Sequence, residues 1–135
     1  MERIRAIYQA FNEGGVEAIM GRLAPEFQVR DRESSPDRET RHGKEGIKQL
    51  FDSYMEAFDA LRLDPVEFTE AGDQVVVTLR QRARGKGSGA EVMGRIVHVW
   101  CIREDAPLEL RIFGNKTQAL EALEAEGALP GQTTH

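Results

Sequence analysis

Residues 91–102, Glu-Val-Met-Gly-Arg-Ile-Val-His-Val-Trp-Cys-Ile, are an unbroken β-type run with a single histidine set into it. β-Branched and aromatic side chains fit a pleated, half-buried surface, so the run predicts a central strand extending to Arg103. Side chains alternate along a strand, which puts His98 on one face with Ile96, Trp100 and Ile102. A polar ring on an apolar face is costly unless it is hydrogen-bonded. His98 therefore either serves a pocket as donor or base, or has its nitrogens satisfied by backbone or by Tyr8.

The stretch Gln74–Arg84 has the same character, and the turn-rich Gly85-Lys-Gly-Ser-Gly-Ala90 between the two predicts an antiparallel hairpin. Pairing across it sets Arg84 opposite Glu91, and hence Leu79 opposite Ile96, Val77 opposite His98 and Val75 opposite Trp100. A slip of one residue would mix the apolar and polar sets, so burial supports this register. The other face collects Arg80, Arg82, Arg84, Arg95, Val97 and Val99, a mixed surface suited to solvent or to a second subunit. Arg80 faces Arg95 there, an unfavourable pair that Glu67 or Glu109 would have to offset.

Ahead of this hairpin, Ile4, Ile7, Tyr8 and Phe11 recur at helical spacing, and Asn12-Glu-Gly-Gly15 stops that helix. Val16–Leu23 predicts a short second helix, and the alternation in Phe27–Arg32 a strand pointing Phe27, Val29 and Asp31 one way. Residues 33–43 are polar and broken by Pro36, which predicts a mobile loop able to act as a lid. A third and longest helix is expected over Lys44–Ala60, with Ile47, Leu50, Phe51, Tyr54, Met55 and Phe58 as its apolar stripe. Further strands are expected over Arg62–Thr69 and Leu108–Phe113, completing a meander. Asn115, with Gln118 three residues on, marks the N-cap of a terminal helix reaching about Glu126. Residues 130–135 read as a flexible tail.

At 135 residues the chain is one domain by length, with a core that needs no disulfide or structural metal. A net charge of −5 argues against nucleic acid or an anionic membrane as partner. The N-terminus Met-Glu-Arg-Ile-Arg lacks an apolar leader and no window is apolar enough to span a membrane, so a cytoplasmic protein is expected. Lone Cys101 reads as a buried, inert thiol. His42, His98 and His135 have no carboxylates at ligand spacing, so no metal is expected. Gly85-Lys-Gly-Ser-Gly89 follows a strand without opening a helix and lacks P-loop spacing.

Helices first, then a strand, a long helix and an antiparallel meander form an α+β order in which helices cover one face of a curved sheet. With Asn12-Glu-Gly-Gly-Val-Glu-Ala-Ile19, His42-Gly-Lys-Glu-Gly-Ile47, Arg84-Gly-Lys-Gly-Ser-Gly89, Val97-His-Val-Trp100 and Ala119–Gly127 in that order, the chain resembles the NTF2-like superfamily and its SnoaL-like and ketosteroid-isomerase-like branch. The resemblance covers about residues 3–129. It implies a cone, in which a mostly antiparallel sheet wraps around the long helix. Ketosteroid isomerases place a tyrosine in the first helix, an aspartate base at the end of the first strand and a protonated acid in a late strand. Tyr8, Asp31 and His98 are similar in position, with histidine replacing the acid. SnoaL-like cyclases use an acid in the same kind of cone, and many carry an aspartate where this chain has Asn115, read here as a cap.

The resemblance implies cofactor-free acid–base chemistry on an apolar, polycyclic or terpenoid-like small molecule, either isomerisation or cyclisation. Asp31 would be the base, with His98 and Tyr8 orienting substrate or stabilising an oxyanion. Trp100, Tyr54, Phe58, Phe27, Ile96, Val77 and Leu79 would line the pocket. The alternative is a non-catalytic ligand-binding or accessory module on the same cone. Such folds commonly pair through the outer sheet face, so a homodimer is expected.

Overall fold

The computed structural model describes residues 2–30, 40–103 and 106–125. Helix α1 spans Glu2–Gly14 and is followed by a 3-10 helix over Val16–Arg22. Strands β1 (Gln28–Arg30) and β2 (Thr40–His42) precede helix α2 (Gly43–Tyr54). Strands β3 (Phe58–Ala71), β4 (Gln74–Gly85), β5 (Glu91–Arg103) and β6 (Ala106–Phe113) then form the meander, and helix α3 (Lys116–Ala125) follows. The six strands make one sheet in the order β2-β1-β6-β5-β4-β3, antiparallel except for β1 beside β6. This is the α+β, NTF2-like architecture.

The predicted register of the long hairpin holds at every rung. Arg84 pairs with Glu91, Leu79 with Ile96, Val77 with His98 and Val75 with Trp100. Its turn closes through Gly85 N–H to Ala90 O at 2.8 Å, with Gly87 and Gly89 at φ +84° and +70°, values that favour residues without a Cβ. Arg80 does face Arg95. Glu67 and Glu109 are elsewhere, on Lys116 and Arg30 respectively. Asp64 sits beside Arg80 in β3 instead, while its carboxylate holds Arg62 at 2.9 Å.

Several expectations need correction. The third helix stops at Tyr54 and is not the longest, since α1 has 13 residues and α2 has 12. Phe58 opens β3, paired with Gly85, because Lys86 N–H already bonds Ala57 O at 3.0 Å and draws the chain onto the hairpin. The apolar spacing of Phe51, Tyr54 and Phe58 could not reveal that competition. Thr40–His42 forms a strand on β1 in place of the expected loop. Residues 33–39 of that loop lie outside the described residues, as do Asp31, Arg32 and the tail. Strand β6 begins at Ala106, ahead of the expected Leu108, and Pro107 lies within it opposite Ile102. Cys101 is half-buried rather than fully buried, and burial together with Asp73 raises its pKa, so the thiol stays protonated.

The sheet has two packed faces. On the inner face, α1, the 3-10 helix and α2 cover Val75, Val77, Leu79, Ile96, Trp100, Leu110 and Ile112. Asn12 ties α1 to the free edge of β3, its side-chain amide donating to Leu63 O at 2.7 Å and its Oδ1 accepting from Leu63 N–H at 2.9 Å. On the outer face, α3 lays Ala119 and Leu123 over Val76, Val97, Val99 and Phe113. Val97 and Val99 are thus sealed under α3, not part of an open mixed surface. Asn115 caps α3 as expected, accepting from Gln118 N–H at 2.9 Å.

Candidate functional site

Periodicity puts Tyr8 on the buried stripe of α1 and the strand pleat puts His98 and Trp100 on the inner face of β5, so all three meet in the inner core. Trp100 Nε1–H donates to Tyr8 Oη at 2.8 Å, and Tyr8 Oη lies 2.7 Å from His98 Nδ1. The rings of Tyr8 and His98 stack at 5.8 Å, while Trp100 meets Tyr8 edge-on. A buried phenol proton needs an acceptor, and among the described residues His98 Nδ1 is the atom in reach. Tyr8 O–H therefore donates to Nδ1, which leaves the ring proton on Nε2. Trp100 fixes Tyr8, Tyr8 fixes His98, and His98 presents one N–H.

That N–H has somewhere to point. A cavity of about 80 Å³ lies between the helices and the inner face, with Tyr8, His98, Trp100 and Ile96 in its wall. Among the described residues no group accepts from Nε2, yet Nε2 is not among the sealed, unpartnered polar atoms, of which Gln74 Oε1 is the one found. It therefore borders open space, and the open space His98 lines is this cavity. Burial without a charged partner holds the His98 pKa down at about 3, so the ring is neutral at physiological pH and acts as a donor, not as a ready base. Burial also pushes the Tyr8 phenol far above its ordinary value of 10.0.

Of the expected pocket residues, Trp100, Tyr54 and Ile96 line the cavity, with Tyr8 and His98. Phe27, Val77 and Leu79 pack in the solid core beside it, and Phe58 stands outside it at the start of β3. Asp31 lies outside the described residues. Lining residues not foreseen include Phe11, Phe51, Leu61, Leu63 and the polar Gln81. Gln81 was within reach of sequence reasoning: it continues the Val75, Val77, Leu79 alternation on the same face as His98. Among the described residues no three His, Cys, Asp or Glu side chains come together to hold a metal ion, and no helix is long and apolar enough to cross a membrane.

Residues 4–106 match the family model described as a SnoaL-like domain. No curated protein matches the chain. Among solved structures, TerC co-crystallised with polyporic acid is 25% identical, covers 91% of this chain and 96% of its own, and superposes with a TM-score of 0.73. An NTF2-like protein of unknown function from Burkholderia pseudomallei is 22% identical over 90% of this chain and 94% of its own, with a TM-score of 0.73. A Catenulispora acidiphila protein with a ketosteroid isomerase-like fold, in complex with trimethylamine, is 16% identical over 96% and 94%, with a TM-score of 0.71. The last two show likeness of fold.

Proposed function

Because this chain belongs to the SnoaL-like family, matched over residues 4–106, we propose that its cavity receives a small, largely apolar carbonyl compound and that the protein removes a proton α to that carbonyl without a cofactor. The observation that carries the reading is the Trp100–Tyr8–His98 chain, which ends as a neutral Nε2–H donor in an apolar cavity. In the proposed step a carboxylate takes the α-proton, the C–H electron pair forms the C=C bond as the carbonyl π pair moves to oxygen, and the enolate oxygen accepts from His98 Nε2–H. Asp31, next in sequence after β1, is the proposed base. Tyr8 is reassigned from oxyanion donor to positioning residue, because its proton is committed to Nδ1.

Volume restricts the occupant. Pockets that enclose drug-sized ligands are roughly 300–1,000 Å³, so a cavity of about 80 Å³ takes the reacting end of a molecule and not a whole polycycle. TerC, co-crystallised with polyporic acid, supports a small organic ligand for this fold. A second reading, a carrier or sensor that binds without turnover, is favoured by one fact: among the described residues no carboxylate lines the cavity. Pairing of two copies is proposed through the part of the outer face that α3 leaves open, around Arg80, Arg82 and Arg95.

Proton exchange tests both readings without knowledge of the natural substrate. In D2O, 4-phenylcyclohexanone should bind and exchange its α-protons faster than in buffer, with Asp31→Asn abolishing exchange at unchanged melting temperature. His98→Phe should slow exchange by about 10²–10³-fold, the usual effect of one oxyanion donor. Binding without exchange would support the carrier, and a ketone that does not bind at all sinks the pocket reading.

A further inference from the structure

The polar groups in the cavity wall fall into two kinds. Tyr8 Oη and Trp100 Nε1 satisfy one another and His98 Nδ1, and Tyr54 also has a partner. His98 Nε2–H and the Gln81 side-chain amide have none among the described residues. Gln81 is half-buried and is not sealed from solvent, so its amide can bond a guest.

The sheet register places these two groups at opposite ends. His98 is opposite Val77 and Gln81 opposite Gly94, two inner-face rungs further along the hairpin. Gln81 is four steps along the strand from Val77, about 13 Å at the usual rise. The rung between them is Leu79 with Ile96, wholly apolar. His98 is 6% exposed at the inner end, whereas Phe51, Tyr54, Leu61 and Leu63, which share the cavity wall with Gln81, are half-buried. At the Gln81 rung the opposite residue is exposed Gly94, where an added Cβ would meet nothing within 4 Å. The sheet is open there, and the cavity reaches solvent at that end.

We infer that the ligand is elongated and polar at both ends, with a hydrogen-bond acceptor on His98 Nε2, an apolar middle against Ile96, and a second polar group read by Gln81 at the mouth. Gln81 is thus a specificity residue of the proposed site, and the inference rests on the pocket reading above. It reconciles a cavity of about 80 Å³ with a larger molecule. The head is enclosed, the body lies in the mouth, and the far end is held by a group that can donate and accept.

The test uses two probes on the full chain: 4-phenylcyclohexanone, and 4-(4-hydroxyphenyl)cyclohexanone, which adds a hydroxyl at the end remote from the ketone. Calorimetric titration should show the hydroxylated probe binding about two- to tenfold tighter, the range of one added hydrogen bond. Gln81→Met, similar in length and without polar atoms, should bring that ratio to about one. Gln81→Glu should restore it, because a carboxylate still accepts from the phenol. A ratio near one in the unmodified protein, or one unchanged in Gln81→Met, overturns the inference while leaving the pocket reading standing. Failure of both probes to bind overturns both.

Discussion

On the outer face of the sheet, Val76, Val97, Val99 and Phe113 pack under Ala119 and Leu123 of α3 with no polar side chain in the cluster. On the inner face the same β5 turns His98 and Trp100 into a layer that encloses a cavity. The chain leaves its cavity and its hydrogen-bonded buried side chains on one side; the other is filled by packed apolar side chains, with Gln74 Oε1 sealed and unpartnered among the described residues on the same face as Val76. Close packing is what core stability requires, and an unfilled polar-ended cavity is what a binding site requires. The contrast assigns stability to the outer core and recognition to the inner one.

Four substitutions can break or sharpen that division. Leu123→Ala should cost the most, ~2–5 kcal/mol by chemical denaturation for a fully buried leucine, yet the folded fraction should bind 4-phenylcyclohexanone as before. Weaker binding by the folded fraction would mean that the two cores are coupled. Tyr8→Phe should cost ~1–3 kcal/mol by leaving Trp100 Nε1–H and His98 Nδ1 unpaired. It should also weaken ketone binding, since nothing then fixes the tautomer of His98.

The third concerns pH. In the folded chain His98 has its pKa lowered from 6.5 to about 3, so between those values the unfolded chain binds the extra proton. Its contribution is fully present above the unfolded value and is lost as the pH falls toward the folded one, by at most ~1.4 kcal/mol per pH unit. In His98→Gln the difference from the unmodified protein should grow in the variant's favour as the medium is acidified, and parallel pH profiles would contradict a neutral buried ring. The smallest effect belongs to the outer face beyond α3. Arg95→Glu turns the cross-strand clash with Arg80 into an attractive pair and should raise stability by ~0.2–1 kcal/mol. A loss there would indicate that Arg95 serves an interface between copies, which light scattering would detect.

Much of this was legible in the residues. Strict alternation on both sides of a glycine-rich turn determined the hairpin register, and with it the neighbours of His98. The stripe Ile4, Ile7, Tyr8 and Phe11 located α1, and the asparagine cap located α3. The end of α2 was hidden because Phe58 continues the helical spacing while its backbone belongs to the sheet. The burial of Val97 and Val99 was hidden because no local pattern says on which face a terminal helix will dock. In the site, the residue types on the face of His98 could be read from alternation. Which hydrogen bonds they exchange, and hence which nitrogen is left for a ligand, depends on distances that only the packed structure supplies.

The central claim is that His98 stands neutral, held at Nδ1 by Tyr8, with Nε2–H offered to the cavity. Nitrogen-15 NMR of the His98 ring from pH 5 to 8 tests it most directly. The account predicts an unprotonated Nδ1 and a protonated Nε2 throughout, with no titration across that range. A ring that titrates near its ordinary value, or that carries its proton on Nδ1, would contradict it.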